Sequence, residues 1–113
     1  MRERKINRTA NAEIFFTRGV LTTLDPTQIS RLLKEGLKTL NDYPNADFVV
    51  FDPEAEQKRT EDEGTTVRLP AKGLYKKIYV KLDDYGNPET LANALGRPTQ
   101  KRFVITILLP EEW

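Results

Sequence analysis

The chain contains neither cysteine nor histidine. Without cysteine there is no disulfide framework, no thiol nucleophile and no thiolate metal site. Without histidine there is no serine–histidine or cysteine–histidine relay, and the usual ligand for zinc or copper is missing. Proton transfer would fall to carboxylates, lysine or tyrosine. A metal would have to be a hard ion held by oxygen, such as magnesium, and no cofactor is expected.

Long apolar runs are missing as well. The longest, Phe103 to Leu109, is interrupted by Thr106 and is far too short to span a bilayer. Met1 to Asn11 is basic and polar, with no apolar stretch behind it, so neither a secretory signal nor a membrane partner is expected. A cytoplasmic protein is the simplest expectation. Net charge is scarce too: acids and bases nearly cancel at +1, although 31% of residues are charged. A surface that attracts nucleic acid or anionic lipid everywhere is therefore excluded, while local patches are not.

What remains is enough for one core. At 113 residues the chain suits a single domain. Residues 1–11, with Arg2, Arg4, Lys5 and Arg8, are expected to form a flexible basic arm, and residues 12–113 the domain. Glu13 to Arg18 has strand composition, with Val20 and Leu21 extending it past a bend at Gly19.

The clearest signal is a helix. Asp25 is a capping residue, Pro26 suits the first helical position and Gln28 completes a capping box. Ile29, Leu32, Leu33, Leu37 and Leu40 then recur at helical spacing and form one apolar stripe. Asn41, Asp42 and Pro44 end it. A one-sided helix needs a surface to cover, and the remaining apolar segments supply strands.

Asp47–Asp52 is apolar on both faces, which suits an interior strand; Thr65–Leu69 suits a short one. Leu74–Leu82 alternates, with Tyr75, Lys77, Tyr79 and Lys81 on one side. Asp83 to Gly86 reads as a turn, and Asn87 and Pro88 open a short helix closed by Gly96. Arg102–Leu109 is the last strand. The expected fold is α+β: a mainly antiparallel sheet of four to five strands, one amphipathic helix on one face, and a second short helix.

Two surfaces stand out as candidate sites. Asp52 to Glu63 carries six acids against two bases, and Glu54, Glu56, Glu61, Asp62 and Glu63 form a patch for a basic protein partner. The same run would also suit a solvated loop. Tyr75, Lys77, Tyr79 and Lys81 form the other: rings could stack on unpaired bases while lysines follow phosphates. Such a face is also what an antiparallel sheet shows to water. Glu56-Gln57-Lys58 after Asp47 has the outline of a magnesium-nuclease motif, but it lies in a charged stretch rather than on an apolar strand. Phe15, Phe16 and Trp113 are expected to finish the core or cover a sheet edge.

The segments Phe16-Thr17-Arg18-Gly19-Val20, the capped helix, Lys77-Ile78-Tyr79-Val80 with Asp83-Asp84, and Thr106 to Trp113 occur in that order. In this the chain resembles a family of small proteins from Gram-positive bacteria and their phages or plasmids, the domain of unknown function number 960. The likeness runs from about Ile14 to Trp113. It breaks between Pro53 and Gly64, and an insertion lies between Gly86 and Lys101. The family has no assigned activity, so the resemblance implies a mobile-element setting and carries over no site residues.

Two functional expectations follow. The first is a non-enzymatic accessory protein, of phage or mobile-element origin, that binds another protein and inhibits a host nuclease or defence complex. The alternative is a binder of single-stranded nucleic acid that uses the tyrosine–lysine face. The sequence leaves the oligomeric state open.

Overall fold

The computed structural model describes residues 7–113; most of the expected basic arm, residues 1–6, lies outside them. Residues 8–11 form turns, and Arg8 is tied down. Its guanidinium donates to the Leu40, Tyr43 and Ala46 carbonyls at 2.7, 3.2 and 2.6 Å, at the end of the long helix. A cation on the last carbonyls of a helix satisfies groups that have no partner within it.

Six strands and three helices follow. The strands are β1 (Ala12–Phe16), β2 (Phe48–Asp52), β3 (Arg59–Glu61), β4 (Thr66–Pro70), β5 (Ile78–Asp84) and β6 (Phe103–Leu108). The helices are α1 (Arg18–Thr23), α2 (Pro26–Asp42) and α3 (Pro88–Leu95). The sheet order is β1-β6-β5-β2-β4-β3. The α+β class holds, but the sheet is mixed rather than mainly antiparallel: β1 with β6 and β2 with β4 are parallel, and the other three pairs are antiparallel. It also has one strand more than expected, because β3 is built from the charged Arg59-Thr60-Glu61 and has no apolar signal.

The long helix has its expected cap. Asp25 accepts the Gln28 N–H, and the Gln28 side chain accepts the Asp25 N–H. Leu32 and Leu40 are buried, and the rest of the stripe is half-buried. Gly36 lets the helix approach β5: a Cβ there would lie 3.3 Å from a Val80 methyl. The register puts Ala12, Phe103, Ile105, Ile107, Leu82, Val80, Ile78, Val49 and Phe51 on that same face, and these side chains form the core.

Two segments differ from expectation. Val20 and Leu21 do not extend β1; they belong to α1, where Thr17 accepts the Val20 N–H as cap. Glu112, far along the chain, accepts from the Thr17 hydroxyl and, at 3.0 Å, from the Gly19 N–H. β5 starts at Ile78 rather than Leu74 and runs on to Asp84. Its neighbours decide this: Ile78 faces Phe51 on β2, Tyr79 faces Leu108 on β6, and beyond them both partners are ending. At the other end β6 is still present to pair Asp84 with Phe103. The short helix α3 is as expected, capped by Asn87 and closed by Gly96 with a left-handed φ of 70°.

Candidate functional site

The face of the sheet away from α2 carries the residues that alternate with the core residues along each strand. Glu13 and Phe15 of β1 lie there, with Val104, Thr106 and Leu108 of β6 and Tyr79, Lys81 and Asp83 of β5. Phe48, Val50 and Asp52 of β2, Thr66 and Arg68 of β4, and Arg59 and Glu61 of β3 complete it. It is not bare: Val50, Val104 and Leu108 are buried there, and Arg97 and Thr99, which follow α3, bond Glu13 at its β1 end, while the β2–β5 side is the more open part.

Its centre is aromatic. Phe48 and Tyr79 meet edge to face with ring centroids 4.9 Å apart. The chain end returns across the sheet after Leu109, and Trp113 stands 5.3 Å from Phe48 and 6.1 Å from Tyr79, again edge on. Lys81 places its ammonium 5.0 Å over the Trp113 ring, a cation–π contact. Despite these contacts Trp113 is 68% exposed. Phe48, Thr66, Tyr79, Pro110 and Trp113 line a shallow depression.

Beside the aromatics lies an ion network. Arg68 donates to Asp52 at 2.7 Å and to both oxygens of Glu61 at 3.0–3.2 Å. Arg59 reaches Glu61 at 3.1 Å. The Arg68 hydrogen bond, aided by Arg59, holds the Glu61 carboxyl down to about 2. Asp52 is lowered first by the Glu54 N–H and then by Arg68; Arg68 itself is pushed up, chiefly by Glu61.

The sequence-predicted residues separate into groups. Tyr79 and Lys81 are on the sheet face, but Tyr75 and Lys77 precede β5, Tyr75 in a bend and 82% exposed. The four therefore do not form one strand face, because the pairing of β5 begins only at Ile78. In the acidic segment Glu61 is consumed by the two arginines. Glu54, Glu56, Asp62 and Glu63 are exposed and form no ion pair among the described residues. Asp47 and Glu56 flank opposite ends of β2, a strand about 17 Å long at roughly 3.3 Å per residue, so the nuclease outline is not assembled. Among the described residues no group of three or more acidic side chains could hold a metal ion.

The basic stretch from Arg68 to Lys81 is largely neutralised. Arg68 is paired as above, Lys76 with Glu111 at 2.9 Å, and Lys81 with Asp83 at 3.3 Å. Only Lys72 and Lys77 of its five cations form no ion pair among the described residues. Sequence reasoning missed Phe48 and the placement of Trp113; the one available signal was an aromatic opening a strand otherwise apolar on both faces.

A second concavity, about 480 Å³, lies between the first half of α2 and the turn after β4, with Leu32, Phe51, Leu69 and Leu74 as its apolar lining. Among the described residues no helix is long and apolar enough to cross a membrane. Comparison with family models, with curated proteins and with solved structures finds no match.

Proposed function

We propose that the chain works by binding another protein through the open sheet face, and not by catalysis. The observation that carries this reading is the Phe48–Tyr79–Trp113 cluster, in which exposed Trp113 stands on half-buried Phe48 and Tyr79 beside the paired charges of Arg68 and Lys81. Aromatic anchors surrounded by fixed polar groups suit a protein interface, where rigid rings contribute area with little loss of freedom. The exposed acids Glu54, Glu56, Asp62 and Glu63 add a negative border that favours a partner with a basic rim.

The finer reading is a cytoplasmic accessory protein of phage or plasmid origin that inhibits a host nuclease or defence complex. It rests on the family resemblance and on that acidic border. Nucleic-acid binding is the second reading, favoured by Lys81 and Tyr79 lying against Trp113. The paired state of Arg68, Lys76 and Lys81 weighs against it, because a phosphate track needs free cations.

Two assays separate them. Labelled single-stranded oligonucleotide, titrated at several salt concentrations and read by anisotropy, should show no tight binding at low salt. Pull-downs from nuclease-treated extract should recover a discrete protein with the wild-type chain and lose it with Tyr79→Ala/Trp113→Ala. Equal recovery by both chains, or steeply salt-dependent oligonucleotide binding, overturns the reading.

A further inference from the structure

The two outer edges of the sheet are built differently. β3 is three residues long, carries Arg59 and Glu61, and is followed by Asp62 and Glu63 with left-handed φ values of 53° and 59°. Short length, charge and a sharp turn are the usual protection of a strand edge. β1 is longer, at five residues. It contains no lysine, proline or bulge, and its single charge, Glu13, is already occupied by Arg97 and Thr99.

The outward-facing groups of β1 follow from its pairing. Asn11 accepts the Phe103 N–H and Thr17 donates to the Ile107 carbonyl, so odd-numbered residues turn their backbone groups to β6. With the period of two, Ala12, Ile14 and Phe16 turn theirs outward. Among the described residues no backbone hydrogen bond reaches that side. An exposed apolar side chain lies on the strand itself, Phe15 at 38%.

The geometry points to a homodimer formed by antiparallel pairing of β1 with β1 of a second copy, the two-fold axis passing at Ile14. In this register Ala12 meets Phe16 of the second copy, Ile14 meets Ile14, and Phe16 meets Ala12. Every outward N–H and C=O then finds its partner. Small meets large on the helix side, and the two α2 helices stay on one face of a continuous sheet. On the open side Phe15 lies opposite Glu13, its apolar ring beside a carboxylate that Arg97 already neutralises. A self-complementary strand is what an isologous interface requires, and this selects a second copy over an unrelated peptide.

Light scattering after size exclusion tests it on the full chain. The wild type should show a mass near twice its 13.0 kDa. Phe15→Glu replaces the apolar ring by a charge that would have to be desolvated, without a cation of its own, at two symmetric places, and should give a monomer with unchanged circular dichroism. Ile14→Cys, the only thiol in the chain, should be joined to its copy by a short bifunctional thiol reagent, since hydrogen-bonded antiparallel partners stand about 5.5 Å apart at Cα. A wild type that is monomeric up to millimolar concentration, with or without a foreign peptide on β1, overturns the proposal. So does a Phe15→Glu variant that stays dimeric.

Discussion

Replacing Arg68 by methionine tests whether the ion network secures the open face. The guanidinium is 18% exposed and makes four hydrogen bonds to two carboxylates on two different strands. Asp52 would keep only its bond from the Glu54 N–H, at 6% exposure. Glu61 is more open and keeps Arg59, so most of the loss falls on Asp52. Breaking a fully buried pair costs about 3–5 kcal/mol, and the partial exposure here reduces this to about 2–3 kcal/mol. Unfolding entropy near 2.1 cal/mol/K per residue gives about 0.24 kcal/mol/K for this chain, so Tm should fall by about 8–12 °C. Thermal unfolding followed by circular dichroism at pH 7 measures this. The pH profile adds a second check. Glu61 is depressed from an ordinary 4.5 to about 2; a depressed carboxylate stabilises the fold above its unfolded value and loses that contribution as pH falls through the folded one. Asp52 is also held below its ordinary range and obeys the same sign, so the gap between wild type and Arg68→Met should be full at pH 6–7 and shrink as pH falls below about 4.5. Equal melting temperatures at pH 7, or a gap constant from pH 6 to 2, would refute the reasoning.

Other perturbations give separate outcomes. Gly36→Leu should destabilise by about 1–3 kcal/mol in urea titration, because α2 cannot hold its approach to Val80 with a larger side chain between them. Asp25→Ala removes both the acceptor for the Gln28 N–H and the capping box, and should cost about 1 kcal/mol by the same measurement. Gly19→Ala would put a Cβ 2.7 Å from the Glu112 carboxyl. The exposed tail should shift rather than the helix, which changes the emission of Trp113, the only tryptophan, while Tm stays within about 2 °C.

Local signals were legible where one segment settles its own structure. The Asp25–Pro26–Gln28 start, the leucine stripe, the Asn87–Gly96 helix and the apolar β2 and β6 all could be read from neighbouring residues. The misreadings arise where a distant segment decides. Thr17 to Leu21 has strand composition, yet it becomes a helix capped by Thr17 and buttressed by Glu112. The Leu74–Lys77 alternation continues past the point where β2 and β6 can pair with it. Parallel pairing of β1 with β6 joins the two ends of the domain, which no local pattern records. The candidate site was half visible for the same reason: Tyr79 and Lys81 belong to it, while Phe48 and Trp113 join them only through register and the return of the chain end.

Photo-crosslinking from position 113 tests the central claim most directly. A benzoylphenylalanine replaces Trp113 in one chain and, as control, Lys38 on the exposed side of α2 in another. Irradiation in cells that carry the protein should join position 113, but not position 38, to one discrete protein. Adducts of equal pattern from both positions, or adducts to nucleic acid from position 113, would contradict the assignment of the open sheet face as a protein-binding surface.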